Sequence, residues 1–310
     1  MPFLESLRVR RKAILQVWTL TAILAAPAAL AHGQEAKLDV LRIGTSGTLA
    51  TVEKGGKEET ALETMREFIK EETGFSNEII QQKDWRQLAQ KMAGKQLHLG
   101  VFQGYEFAWA VEKQSELKPL AIAVNVYRYP VAYVVTRQDS KASDFAGLQG
   151  QALALPAGGQ RYLRLFVERQ SQANGKKLEE FFSRITSPEN IEDAIDDVVD
   201  GVVQAAVIDR AGLEAYKRRK PGRFKRLKEV AHSKPLPPTV VAYYDAALDQ
   251  ATLQRFREGL VGASQKEKGK MLLNLFRITG FEAIPSDFDR VLTEARKAYP
   301  PPTNNGGEKK

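Results

Sequence analysis

Seven short apolar runs recur along the chain at spacings that leave room for a helix between most of them, and no other feature restricts the fold so strongly. The runs are residues 40–43, 97–102, 120–124, 131–135, 152–155, 205–208 and 240–243. Several are apolar at consecutive positions, which suits strands covered on both faces rather than strands with one wet face. The segments between them carry helical spacing. Asp84 followed three residues on by Gln87 predicts an N-cap before a helix over 85–92. Ser187-Pro188 predicts another start, after which Ile191, Ile195, Val198 and Val202 share one face while Glu192, Asp193, Asp196 and Asp197 share the other. Strand and helix in alternation define an α/β chain, and 310 residues give room for about two domains of ordinary size.

The N-terminal segment reads as an address. Arg8, Arg10, Arg11 and Lys12 precede an apolar stretch over 13–25, and Ala29-Leu30-Ala31 has the small-x-small form of a cleavage site. Residues 1–31 are therefore expected to be a secretory signal peptide cut near Ala31, with a retained membrane anchor as the alternative. The protein is then periplasmic or otherwise exported. Its composition contains no cysteine, which removes disulfides, thiolate metal sites and cysteine nucleophiles from consideration. Three scattered histidines, His32, His98 and His232, make a multi-histidine metal site improbable, and no metal or cofactor is expected. Neither a G-x-S-x-G elbow nor an H-E-x-x-H pair is present, so the chain is not expected to be an enzyme.

Of the net charge of +8, residues 1–31 carry +3, and the densest basic run is residues 217–228, where eight of twelve side chains are basic. In an exported protein a solvated surface or a contact with anionic lipid suits that run better than nucleic acid, and no nucleic-acid partner is expected. The acidic face over 192–197 is expected to be solvated as well. The C-terminal residues 299–310 are rich in Pro, Asn, Gly and Lys and are expected to be disordered.

Two glycine-bearing turns follow apolar runs and precede helical patterns, at 44–48 and at 156–162. Such turns present backbone N–H groups at the positive end of a helix and suit an oxyanion. Thr45, Ser46 and Thr48 add hydroxyl donors to the first; Gly159, Gln160, Arg161 and Tyr162 form the second, with Arg161 as a fixed positive fork. Neither has the form of a dinucleotide fingerprint or a phosphate loop. The segment 102–107 supplies aromatic side chains, of which Tyr105 is the candidate for a cleft wall while Phe107 and Trp109 serve equally well as core. Asp209 ends the run 205–208, either facing a ligand at the strand's carboxyl end or capping the helix expected over 211–217.

In order along the chain, the segments 41–44, 84–88, 97–102, 129–135, 145–154, 194–201 and 204–209 resemble the phosphate/phosphite/phosphonate-binding family of periplasmic substrate-binding proteins that serve ABC importers. The resemblance covers about residues 38–298 and is strongest over 144–154 and 201–209. It implies an α/β, two-lobe type II periplasmic-binding-protein fold with two hinge strands. Lobe one would be 38–127 plus 240–298, and lobe two 130–235. It also implies a monomer that closes over a small anionic ligand, a partner ABC permease, and membrane contact only through that permease or an uncleaved N-terminus. A departure is equally visible. Where phosphonate-binding members carry a Ser-Thr-Ser-Gly-Tyr run, residues 157–162 read Ala-Gly-Gly-Gln-Arg-Tyr, and Ser187-Pro188-Glu189-Asn190 replaces the family's histidine after the next strand. Arg161 could substitute as the anion ligand; a carboxylate, an organic phosphate or an unrelated solute remains open. The alternative function is an extracytoplasmic sensor or scaffold on the same fold.

Overall fold

The structure, a computed structural model, describes residues 40–46, 57–157, 160–245 and 247–302. The expected signal peptide, Thr48, Gly159 and residues 303–310 lie outside that range. The first lobe begins with β1 (Val40–Ser46), α1 (Lys57–Thr73), β2 (Ser76–Gln82), α2 (Trp85–Ala93), β3 (Leu99–Phe102), α3 (Gly104–Lys113) and β4 (Leu117–Val124). The second lobe holds β5 (Ala132–Arg137), β6 (Ala152–Ala154), α4 (Arg161–Ala173), α5 (Leu178–Phe181), β7 (Arg184–Thr186), α6 (Ile191–Val199), β8 (Ala205–Asp209), α7 (Arg210–Arg219), α8 (Pro221–Phe224) and β9 (Leu227–His232). The chain then returns to the first lobe with β10 (Val240–Tyr244), α9 (Gln250–Val261), α10 (Glu267–Leu275), β11 (Gly280–Glu282) and α11 (Phe288–Ala298).

The first sheet runs β11-β4-β10-β3-β1-β2 and the second β7-β6-β8-β5-β9. Both are mixed: β1 lies parallel to β2 and β3, but β10, arriving from the other lobe, runs antiparallel to β3 and β4. All seven apolar runs of the sequence are interior strands. The four strands with no such signal, β2, β7, β9 and β11, are the four sheet edges, where polar side chains can face water.

Local chemistry explains most boundaries. Asp84 caps α2, its Oδ1 accepting the Gln87 N–H at 2.9 Å, as the spacing predicts. The start expected at Ser187-Pro188 falls later. Asn190 is the cap of α6, accepting the Asp193 N–H at 2.9 Å, while the Pro188 carbonyl accepts the Ala157 N–H. Ile195 and Val198 are buried on the inner face of α6, but Val202 stands beyond its end and is 53% exposed, so it belongs to no helical stripe. Gly44 is also not a turn residue. It lies inside β1, where an added Cβ would come 2.4 Å from Leu88 Cδ1 and 2.5 Å from Leu97 Cδ1; glycine lets the strand pack against α2.

The basic run and the acidic face answer each other. Lys220 Nζ donates to Asp196 at 2.5 Å, Arg223 Nε to Asp196 at 2.8 Å and Arg223 Nη2 to Asp200 at 2.7 Å, while Arg219 pairs with Glu192. The Tyr216 hydroxyl, on a fully buried residue, donates to Asp196 at 2.6 Å. Part of each charged stretch is therefore paired across α6 and α7–α8, while both stretches stay in contact with solvent.

Two crossings join the lobes, residues 125–131 outward and 233–239 back. The first contains Val126, which has φ +61° although β-branched; its N–H donates to Thr279 Oγ1 at 3.0 Å. Tyr129 Oη donates to Asp287 at 2.5 Å beside it. The segment after α11 also touches both lobes. Trp109 Nε1 donates to the Tyr299 carbonyl at 2.7 Å and Arg86 to the Pro302 carbonyl at 3.0 Å, while Arg169 of α4 donates to the Pro300 carbonyl.

Candidate functional site

Three helices begin at the junction of the lobes: α3 after Gln103, α4 after Gln160 and α7 after Asp209. Gln103, Gln160 and Asp209 line a common cavity of about 50 Å³ together with Tyr105, Tyr162 and Thr239. At about 10–15 Å³ per water-sized group this holds about four such groups, close to the size of a tetrahedral oxyanion. Helix N-termini carry unpaired N–H groups and partial positive charge, so their convergence favours an anion. At α4 no side chain caps those donors.

Tyr105 is buried edge-on to Trp109, with ring centroids 5.0 Å apart, and lines the cavity. Burial first, and then the neighbouring Glu106, pushes its phenol well above the usual range. Burial does the same to Tyr162, so both present neutral hydroxyls. Phe107 and Trp109 belong to the core and not to the cavity wall. Asp209 caps α7, its Oδ1 accepting the Gly212 N–H at 2.6 Å, and the residue also lines the cavity. Its carboxyl is raised by burial, against the hydrogen bond from Gly212.

Arg161 stands differently from the expectation of a free anion fork. Its guanidinium leaves α4 and reaches lobe one, where Nη1 donates to the Ser46 carbonyl at 3.3 Å and lies 4.0 Å from Glu106 Oε1. Ser46 in turn donates its hydroxyl to Glu106 Oε2, and the Gln103 N–H donates to the same oxygen at 3.4 Å. Desolvation raises the Glu106 carboxyl, opposed by Ser46 and then by Arg161. Ser46 is thus occupied within lobe one, and Thr45 is buried in β1 between Gln81 and Val101. Neither lines the 50 Å³ cavity.

The sequence reading singled out neither Gln103 nor Thr239 of the cavity wall, and it also missed Glu106. Glu106 is a lone carboxylate in the apolar stretch Tyr105–Ala110, and that isolation was its available signal. Gly104 is a further one. An added Cβ there would lie 2.0 Å from the Pro237 carbonyl oxygen, so glycine lets the return crossing run against the start of α3.

A second cavity of about 120 Å³ adjoins the first, and Gln103, Ala123, Gln160, Thr239 and Ile278 line both. Arg161 stands at its rim, and its interior is mostly apolar, between the sheet of lobe one and α1, α9 and α10. Among the described residues no group of three or more His, Asp or Glu could hold a metal, and no helix is long and apolar enough to cross a membrane.

Two mixed sheets, two crossings and a cavity at their junction define the class: a two-lobe α/β binding-protein fold. Solved structures share it. XAC2383 from Xanthomonas citri bound to ATP matches with a TM-score of 0.57 at 18% identity, over 84% of this chain and 97% of that one. PhnD1 from Prochlorococcus marinus in complex with methylphosphonate gives 0.54 at 12% identity, over 84% and 97%. A binding protein component of an ABC phosphonate transporter from Pseudomonas aeruginosa gives 0.52 at 15%, over 83% and 85%. No curated protein sequence matches significantly. The family model described as ABC transporter, phosphonate, periplasmic substrate-binding protein matches residues 48–288, and the chain belongs to that family.

Proposed function

We propose that this protein is the exported solute-binding component of an ABC importer and that it takes a small phosphonate-type anion at the junction of its lobes. The observation that carries the reading is the convergence of the α3, α4 and α7 N-termini on one cavity of about 50 Å³. Backbone N–H groups of α4 with Gln160 are the donors to the anion, and the hydroxyls of Tyr105 and Tyr162 complete the cradle that the missing serine and threonine side chains would otherwise form. Gly159 and Thr48 are part of the proposed site by position in sequence. Arg161 releases Ser46 and Glu106 to pair with the ligand, so the ligand replaces a contact between lobes and gains affinity for the closed state. Thr45 and Ser46 act behind Glu106 and Arg161 rather than on the ligand. Asp209 holds the start of α7 at the cavity wall. Export through cleavage near Ala31 and delivery to a permease follow from the family and from the N-terminal pattern.

The test is calorimetry with methylphosphonate, phosphate, phosphite, ATP, and carboxylates such as acetate and glutamate, on the chain and on Arg161→Ala. Tight binding of a phosphorus oxyanion is expected, weakened at least tenfold in the variant at unchanged circular dichroism. Preference for a carboxylate, or full affinity in Arg161→Ala, would remove the phosphonate-type anion or the arginine from the reading.

A further inference from the structure

Apolar side chains make up most of the wall of the 120 Å³ cavity; its polar lining is the part next to the anion site together with Arg277, which does not reach that site. Phe68 and Ile69 of α1, Val101 of β3, Phe256 of α9 and Leu272 of α10 surround it, and all five are buried. Its rim carries Gln103, Gln160, Thr239 and Arg161, and the first three also line the oxyanion-sized cavity. A cleft with mostly apolar walls and a few convergent polar groups is the usual form of a small-molecule site. The polarity changes along one continuous path, from helix N-termini and a guanidinium to phenyl and alkyl groups, and only an amphipathic ligand is complementary to both ends.

Resting on the anion reading above, we infer that the natural ligand is an organic phosphonate or phosphate ester whose substituent is a short alkyl or aryl group seated in this second cavity. Size limits the group. An apolar cavity of about 150 Å³ holds a benzene ring, so about 120 Å³ suits a chain of about five carbons or one small ring. The oxyanion meets the helix N-termini and Arg161; the substituent passes Gln160 and Thr239 and lies against Phe256 and Leu272. A long acyl chain is excluded by volume.

The test is a chain-length series of methyl-, propyl-, hexyl-, dodecyl- and phenylphosphonate titrated calorimetrically into the purified chain, with hexanol as the control lacking a head group. Each buried methylene is worth about fourfold in affinity, so hexylphosphonate is expected to bind at least a hundredfold tighter than methylphosphonate. The gain should level off by dodecyl. Leu272→Trp, which fills the cavity, should collapse the hexyl-to-methyl ratio towards one; if that variant does not fold, the wild-type series decides alone. Equal affinity for methyl- and hexylphosphonate would overturn the cavity's role and leave the anion site standing. Absence of binding by every phosphonate would overturn both, and a gain that continues through dodecyl would overturn the size limit.

Discussion

Replacing Glu106 by Gln separates a site built for anions from one built for a ligand that donates to a carboxylate. Glu106 is buried; it accepts from the Ser46 hydroxyl and the Gln103 N–H, and Arg161 lies at 4.0 Å. Burial pushes its carboxyl up, and the like charge of Asp84 adds to that push. An anion that takes over Arg161 comes to rest about 5 Å from the Glu106 carboxylate, and at an effective dielectric constant near 20 two like charges at that distance repel by about 3 kcal/mol. Protonation relieves part of this, and desolvation already raises the carboxyl towards it. The amide keeps an acceptor for the Ser46 hydroxyl and removes the charge. Methylphosphonate is therefore expected to bind Glu106→Gln roughly ten- to a hundredfold more tightly than wild type at pH 7.5. The gain should shrink as pH falls and the wild-type carboxyl becomes neutral. Titration of the phosphonate itself is common to both proteins and cancels in the ratio. Stability carries the same sign. A carboxyl whose folded pKa is raised contributes stability that is complete below the unfolded value, about 4.3, and is lost as pH rises through the folded value. The melting temperature of Glu106→Gln should consequently fall less than that of wild type over that interval. Tenfold weaker binding in the variant, with the pH profile of binding unchanged, would refute the repulsion and make Glu106 an acceptor for a ligand donor.

Two further substitutions test the crossings. Gly104→Ala places a methyl 2.0 Å from the Pro237 carbonyl oxygen and 2.3 Å from that of Pro238. Backbone on both sides leaves no flexible atom to yield, so about 2–3 kcal/mol of stability should be lost, several degrees in melting temperature; an unchanged melting temperature would show that the return crossing is not held against α3. Val126→Asn relieves a β-branched residue at φ +61° whose side chain is 59% exposed, and a rise in stability of up to about 1 kcal/mol is expected by denaturant titration. Loss of stability there would mean that the positive φ carries no strain.

Legibility in the sequence followed burial and range. Interior strands such as β3 and β8 must be apolar on both faces, because helices cover both, and they are visible as unbroken runs. Edge strands such as β2, reading SNEIIQQ, need no such run and carry no signal of their own. Caps that act over three residues were visible at Asp84 and Asp209, whereas the choice between Ser187 and Asn190 depended on where Pro188 met the backbone of Ala157. The candidate site divides along the same line. Gln160, Tyr162 and Asp209 stand at strand ends or helix starts and were legible because that position alone brings them to the cavity. The engagement of Arg161 with Ser46 and Glu106 was not, since 115 and 55 residues of chain separate it from those partners and no local pattern records the closure of that distance. A buried carboxylate in an apolar helix was the trace left by that contact. Its cost is offset by a serine hydroxyl and an arginine from the opposite lobe, and such an arrangement ties the state of the ligand site to the relation between the lobes.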